Sequence, residues 1–220
     1  MIIDEMINQV IQQVPCCSVW TIPIESLNVR EKEFFHRNAP GFKTAIILGH
    51  HILKRSEWKW QLQENHSEFC NADFHTMSVC EQLKKEIEKY GFQTMVVPYP
   101  GESGLKFRFA AEAAGAGEIG TSAFLLHPTW GPWIHLRALA TEADTIVRPI
   151  SRLSVCIRCG KCVASCPASA IRNDTFSGLT CRGYRMAKGE YIPSGPENEL
   201  KYCMVCADVC PIGSKPEGSE

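Results

Sequence analysis

The chain has 220 residues, of which 45% are hydrophobic, so it can bury one core of ordinary size and a small further module. A net charge of -1 and a pI near 6.7 exclude the strongly basic composition that is typical of nucleic-acid-binding proteins, so nucleic acid is an unexpected partner. No run approaches the roughly 20 apolar residues that a membrane-spanning helix needs.

Residues 1–14 predict a short amphipathic helix. Its apolar residues recur at three- and four-residue steps along one side: Ile3, Met6, Ile7, Val10, Ile11 and Val14. Asp4 and Glu5 stand where a signal peptide has basic residues, so we expect a cytoplasmic protein. Thiols stay reduced in that compartment, and clustered cysteines there are interpreted as metal ligands before disulfides.

Apolar runs then alternate with helical patterns. Strands are predicted at 19–24, 44–48, 92–97, 123–126 and 145–147, and helices at 77–90 and 105–114. Gly91 follows the first of these helices, where a C-terminal cap belongs. This alternation predicts an α/β or α+β sandwich.

The cysteines set the predicted domain boundary. Eight of the twelve lie between positions 156 and 210, and Pro149 makes 148–151 the expected hinge. We therefore predict an α/β domain over 1–148, a cysteine-rich domain over 149–212 and a disordered tail over 213–220.

The first cysteine motif is a ladder of three-residue steps. Cys156, Cys159 and Cys162 are followed by Cys166 and Pro167, as in bacterial-type ferredoxins. Three such cysteines bind three corners of one cubane, whereas the cysteine before the proline reaches a different cluster. The motif therefore predicts two [4Fe–4S] clusters.

A second motif ends in Cys210-Pro211 and has one cysteine fewer, so its cluster needs another ligand. Cys181 is the only cysteine between the two motifs and completes a set of eight. We assign cluster one to Cys156, Cys159, Cys162 and Cys210, and cluster two to Cys166, Cys181, Cys203 and Cys206. The alternative is structural zinc, which needs four tetrahedral ligands. Such a site does not require cysteines at three-residue steps, nor a Cys-Pro pair at the end of both motifs.

The other cysteines and the histidines are expected to be structural. A free cysteine usually behaves as a small buried hydrophobe, and this is the interpretation for Cys16, Cys17, Cys70 and Cys80. A redox role for the adjacent Cys16 and Cys17 stays open. Hydrogen-bonded structural roles are expected for His50, His51, His127 and His135, the alternative being that His127 or His135 meets a cofactor or supplies a proton.

A glycine-rich turn joins the helix at 105–114 to the strand at 123–126. Gly115, Gly117 and Gly120 match the pattern GxGxxG, but the helix precedes the glycines and the strand follows, the reverse of a dinucleotide site. We therefore reject a Rossmann site. Two interpretations remain: a tight turn, or close approach of the backbone to a large flat cofactor.

Over roughly 105–212 the chain resembles the epoxyqueuosine reductases and the related cobalamin-dependent reductive dehalogenases. The shared features are the Ala-Gly-x-Gly-x-Ile-Gly turn at 114–120, the Leu125-Leu126 pair, Gly131 with Trp133, Leu136, and two cysteine motifs with one cysteine between them. This resemblance implies a nitroreductase-like α/β sandwich, followed by a small bacterial-ferredoxin-like domain with the same crosswise ligands. It also implies cobalamin as a further cofactor, with the following residues on its side: Gly120, Thr121, Ser122, Leu125 and Leu136.

Three departures from the family pattern bear on the substrate. At the position where the family has its acidic proton donor, this chain has Gly101. The neighbouring Glu102 is therefore the catalytic candidate. Thr121-Ser122 replaces the usual Lys-Asn, and Glu118 replaces an aromatic residue. No helical repeat domain of the kind that helps to grip tRNA follows the cysteine motifs, which argues against a tRNA substrate.

Three functions follow from these features. The first is an iron–sulfur oxidoreductase that relays electrons through two clusters to a corrinoid or similar cofactor in the N-terminal domain. The second is an electron-transfer protein without that cofactor, serving a partner such as a corrinoid protein. The third is an epoxyqueuosine reductase that acts on tRNA with Glu102 as the acid. The first two require a redox partner protein as electron donor or acceptor.

Overall fold

The computed structural model describes residues 3–62, 68–98, 105–146, 153–172, 175–190 and 198–218. Contacts divide the chain into two units. The first comprises Met1–His51, Phe74–Ala116 and His135–Leu153, and the second comprises Ile52–Asp73, Gly117–Ile134 and Ser154–Glu220.

Helices and strands are numbered in chain order. The helices are α1 Ile3–Ile11, α2 Val29–Asn38, α3 Ala72–Glu88, α4 Phe107–Ala113, α5 Lys161–Ser165, α6 Gly178–Ala187 and α7 Val205–Asp208. The strands are β1 Cys17–Pro23, β2 Thr44–His51, β3 Trp60–Leu62, β4 Glu68–Cys70, β5 Thr94–Val96, β6 Glu118–Ile119, β7 Leu125–Leu126, β8 Ile134–Thr141, β9 Ile171–Arg172, β10 Thr175–Phe176 and β11 Glu199–Leu200. Within the described ranges, no helix is both long and apolar enough to cross a bilayer.

The first unit is built on a four-stranded sheet in the order β1-β2-β8-β5. β1 pairs antiparallel with β2, so that Cys17 lies opposite His50, and β5 pairs antiparallel with β8. The apolar sides of α1 and α3 pack on this sheet in a core that contains Ile3, Met6, Ile7, Ile46, Leu48, Val79, Leu83, Ile87 and Leu139. The three- and four-residue spacing in both helices is thus explained by burial against the sheet.

The predicted strand at 145–147 is wrong over its described part. Thr145 and Ile146 lie outside the strands, because the Thr145 hydroxyl and the Ile146 amide both donate to the buried Asp4 carboxylate, at 3.0 and 3.1 Å. A side chain therefore satisfies polar groups that a strand would satisfy with a neighbour. The long strand β8 was missed, since polar His135 and Arg137 interrupt its apolar pattern.

The second unit contains a three-stranded sheet in the order β11-β3-β4 and two short pairs, β6 with β7 and β9 with β10. Its core joins residues from all three of its segments: Ile52, Cys70, Ala72, Trp133 and Ala207, with Trp58, Trp60, Phe124 and Met204 packed around them. The rings of Trp58 and Trp133 meet edge to face at 5.9 Å.

The second unit is built from three segments, whereas the predicted boundary at 148–149 implies one continuous segment. The chain does change unit at Leu153–Ser154, but Ile52–Asp73 and Gly117–Ile134 also belong to the cysteine-rich unit. The physical reason is core size: a cysteine-rich stretch of about 60 residues has few large apolar side chains, and the tryptophans of the two earlier segments supply them.

The predicted disordered tail is also corrected, as far as Gly218. The Glu217 amide donates to the Leu53 carbonyl at 2.7 Å, and the Arg55 amide donates to the Glu217 carbonyl at 3.0 Å. These bonds pair the tail with the segment after β2, which composition alone does not reveal.

Candidate iron–sulfur site

The eight cysteines of the two motifs lie on short helices and the loops beside them, all in the second unit. Cys162 is in α5, Cys181 in α6 and Cys206 in α7, whereas Cys156 and Cys159 precede α5 in a loop. Gly160, with φ 74°, and Arg158, with φ 51°, both take the left-handed conformation that turns this loop into α5. No disulfide joins any of the twelve cysteines.

The mutual electrostatic effects of the first group of cysteines show that they lie close together. Burial raises the pKa of Cys162, and Cys156 and Cys159 raise it further. Burial likewise raises the pKa of Cys210, and the same two neighbours add to the shift. Cys210, from the second motif, therefore lies with Cys156, Cys159 and Cys162, and all four line one cavity, to which Cys206 also contributes.

The second group forms in the same way. Burial raises the pKa of Cys206 to about 12, with further increases from Cys203, Cys181 and Cys166. Burial also raises the pKa of Cys181, on which Cys203 and Cys166 act again. Each group thus contains one cysteine from the other motif, as the crosswise assignment requires. Eight soft thiol donors in two groups of four suit two iron–sulfur clusters.

Thr121 is the residue of the glycine turn that meets the first group. Burial by itself raises the pKa of Cys156, but hydrogen bonds from the Thr121 and Arg158 amides and the Thr121 hydroxyl outweigh it, so the pKa is lowered overall. The hydroxyl oxygen of Thr121 lies 3.8 Å from the Cys156 sulfur. Such donors stabilise a thiolate and tune the potential of a cluster that it binds.

The motif glycines are required by packing inside the second unit. A Cβ atom on Gly117 would lie 2.2 Å from the Leu126 carbonyl oxygen, and one on Gly120 would lie 2.6 Å from the Leu126 side chain and 3.4 Å from the Cys156 sulfur. Of the two interpretations of these glycines, close packing of the turn accounts for both. Glu118, between them, has a separate role.

Two carboxylates each accept a backbone N–H from the first cysteine of a motif. Glu118 accepts from the amides of Val155 at 2.6 Å and Cys156 at 2.7 Å. Glu190 accepts from the Cys203 amide at 2.7 Å and pairs with Arg185 at 3.0 Å. Both side chains are largely buried, at 19% and 13% exposure, so each places a negative charge beside one group of cysteines.

These charges predict separate shifts in the two cluster potentials. Reduction adds negative charge to a cluster, so we expect Glu118→Gln to raise the potential of cluster one and Glu190→Gln that of cluster two. The expected size is about 50–100 mV, the equivalent of roughly 1–2 kcal/mol for a partly buried charge. Redox titration followed by electron paramagnetic resonance measures both potentials. Each variant is the control for the other, and a shift of the same cluster in both would contradict the assignment.

The predicted cofactor-side residues fall in both units. Gly120, Ser122 and Leu125 are buried in the second unit, where Thr121 is half-buried, and Leu136 is half-buried on β8 of the first. Glu102, the predicted catalytic acid, lies outside the described residues.

His127 and Trp133 have structural roles. His127 accepts the Thr129 and Trp130 amides on Nδ1, both at 3.2 Å, and stacks on the Trp130 ring. Trp133 is 1% exposed in the core of the second unit. The contacts of His127 agree with the structural interpretation of that histidine.

Comparison with known proteins decides the nature of the cysteine groups. Residues 155–213 match the family described as a 4Fe-4S double cluster binding domain. The second unit therefore contains a 4Fe-4S double cluster binding domain. The two predicted [4Fe–4S] clusters are confirmed as its cofactors, and the ligand assignment to individual cysteines stays a prediction.

The resemblance to epoxyqueuosine reductases and reductive dehalogenases is confirmed as well. An epoxyqueuosine reductase of Synechococcus sp. (strain CC9605) is 32% identical over 108 residues, which cover 46% of this chain and 33% of that protein. The match thus spans about a third of the relative's length.

Solved structures confirm the predicted fold class. An epoxyqueuosine reductase with an epoxyqueuosine-modified tRNA stem loop superimposes with a TM-score of 0.66 at 17% identity, covering 94% of this chain and 64% of that one. A reductive dehalogenase whose structure suggests a mechanism for B12-dependent dehalogenation gives a TM-score of 0.65 at 16% identity, covering 93% and 31%. The α/β sandwich with a ferredoxin-like module is therefore the fold of this chain.

Sequence reasoning missed the roles of Glu118 and Glu190. Glu118 stood out only as a departure from an aromatic residue, and Glu190 carried no signal because it lies 13 residues before Cys203 in the chain. Cysteine spacing identifies ligands, but it does not identify the acceptors of their backbone amides.

Proposed function

We propose that this chain is an iron–sulfur oxidoreductase of the epoxyqueuosine reductase type, in which two [4Fe–4S] clusters relay electrons to a corrinoid or similar cofactor in the N-terminal domain. The observation that carries the proposal is the contact between Thr121 and the Cys156 sulfur. The turn that the resemblance assigns to the cofactor side therefore touches a ligand of cluster one.

A corrinoid would supply a cobalt centre that accepts electrons singly from clusters with potentials of roughly -400 mV or lower. The chain supplies ligands and hydrogen bonds. Gly120, Ser122 and Leu125 are buried and support the turn from within the second unit, whereas Thr121 keeps part of its surface exposed. Leu136, half-exposed on β8, offers apolar surface suited to the face of a flat ligand.

Exposed apolar side chains support the expected redox partner. Leu179 and Met186 are 87% and 60% exposed on α6, the helix that carries Cys181, and Ile157, between Cys156 and Cys159, is 65% exposed. Exposed apolar surface is typical of a docking area for another protein. We propose that the electron donor docks on this surface of the second unit.

Cobalt retention tests the corrinoid proposal. We expect anaerobically reconstituted protein, incubated with cobalamin and washed, to retain about one cobalt per chain beside about eight iron atoms. Leu136→Glu should lower cobalt retention about tenfold, because it places a charge on the apolar contact, and it should leave the iron content unchanged. The control Leu53→Glu, which changes an exposed leucine, should retain as much cobalt as the unaltered protein. Iron without any retained cobalt would contradict the corrinoid and favour the electron carrier.

A second candidate, action on tRNA, is favoured by the structural neighbour that holds a modified tRNA stem loop. The nearly neutral composition does not support it. Incubation of the reduced protein with an epoxyqueuosine-modified stem loop, followed by nucleoside analysis, separates the two: conversion to queuosine would establish tRNA as the substrate.

A further inference from the structure

A cysteine and two histidines of the first unit converge outside the iron–sulfur module. Cys17 begins β1 and His50 is close to the end of β2, and the antiparallel register sets them directly opposite each other. Residues opposite each other in a sheet project to the same face. His75, in the first turn of α3, reaches the same place.

The donor atoms already have the spacing of a tetrahedral metal site. The Cys17 sulfur lies 3.5 Å from His50 Nδ1 and 3.7 Å from His75 Nε2. For zinc bonds of about 2.3 Å to sulfur and about 2.0–2.1 Å to nitrogen, tetrahedral angles give a sulfur–nitrogen separation of about 3.6 Å. All three donor atoms lie within 4.8 Å of one another.

We propose that Cys17, His50 and His75 bind one zinc ion, with the fourth position open to water or to a small ligand. One thiolate and two imidazoles form a donor set of borderline softness, which suits zinc. Binding replaces the thiol proton of Cys17, which is released to solvent. Three protein ligands with a free fourth position are the arrangement of catalytic zinc sites, whereas structural sites have four.

One residue of this site, His75, lines a groove. His75 is exposed, and the groove has a volume of about 690 Å³ and lies between α1 and α3, where it is also lined by Gln9, Gln13, Gln82 and Glu86. Water or a small polar ligand can therefore reach the ion from the side of His75. His50, by contrast, is buried at 6% exposure and supports the site from the sheet.

The competing interpretation is a hydrogen-bonded trio without metal. A thiol carries one proton, so in that case one imidazole accepts it and the other donates its own N–H to sulfur. Both arrangements satisfy the same distances. Metal content and the ligands around the metal distinguish them.

The site is independent of the proposed electron relay. Its three residues all belong to the first unit, and none is among the eight cysteines of the cluster motifs. Loss of zinc with iron retained therefore tests this proposal alone.

The test uses the full-length protein purified without oxygen and with its clusters intact. Elemental analysis should find about one zinc per chain beside about eight iron atoms, and X-ray absorption at the zinc edge should find one sulfur at about 2.3 Å and two nitrogens at about 2.0–2.1 Å. Zinc-free protein, or zinc surrounded by four sulfurs, would overturn the proposal.

Variants identify the ligands. His75→Ala, on an exposed residue, and Cys17→Ser should each lose at least nine-tenths of the zinc and keep the iron. Cys16→Ser and His51→Ala, which change the chain neighbours of Cys17 and His50, should keep both metals. Zinc retention in Cys17→Ser would overturn the site. Should a variant fail to fold, the absorption spectrum of the unaltered protein still decides between the outcomes.

Discussion

Cys166→Ser is expected to destroy cluster two and leave cluster one in place. Cys166 stands in the first motif, but its electrostatic neighbours are Cys181 and Cys206 rather than Cys156. Serine is a poor ligand for iron–sulfur centres, so iron should fall from about eight to about four atoms per chain. Anaerobic iron and sulfide analysis measures the loss, and Cys16→Ser controls for the removal of a thiol.

The identity of the surviving cluster is the decisive part of this prediction. In Cys166→Ser protein the remaining potential should respond to Glu118→Gln and not to Glu190→Gln, because Glu118 bonds to the Cys156 amide. Cys210→Ser should give the reverse pattern. Loss of the Glu118-responsive cluster in Cys166→Ser would mean that each motif binds its own cluster, and the crosswise assignment would be wrong.

Gly131→Ala is expected to unfold the second unit. A Cβ atom at Gly131 would lie 1.9 Å from the Ile212 carbonyl oxygen, and Gly131 has a φ of 61°, which L side chains rarely adopt. Backbone atoms on both sides leave no flexible group to move aside. The expected loss in the free energy of unfolding is more than about 3 kcal/mol, beyond the usual cost of overpacking.

Gly218→Ala is the matched control for this variant. Gly218 also has a positive φ, 78°, but no atom lies within 4 Å of the position that its Cβ would take. It should therefore cost only the conformational strain of about 1–2 kcal/mol. Urea unfolding followed by circular dichroism, together with the rate of iron release, measures both. Equal losses in the two variants would show that the contact with Ile212 is unimportant.

The same geometry explains why a glycine pattern gave an ambiguous prediction. Gly117, Gly120 and Gly131 were matched to a cofactor-binding family, yet each is required because other parts of the second unit approach its backbone. A glycine in a sequence indicates that some group comes close. The sequence does not say whether that group is a cofactor, a side chain or another loop.

Predictions from local patterns were confirmed where one residue spacing was sufficient. The apolar spacing of α1 and of α3 was correct, although α3 begins at Ala72, five residues before the predicted start at 77. The sheet that depends on a distant partner was missed: β3 pairs with β4 on one side and, on the other, with β11, which is more than 130 residues away.

The cysteine spacing by itself determined that the chain holds two [4Fe–4S] clusters, because a cubane constrains the steps between its ligands to a few residues. Only the tertiary structure decided which carboxylates lie beside those ligands, why the glycines are needed, and that Cys17 meets His50 and His75. The physical reason is distance along the chain: strand pairing and core packing bring Cys17 to His50 and His75 across 33 and 58 positions, and no local spacing encodes such contacts.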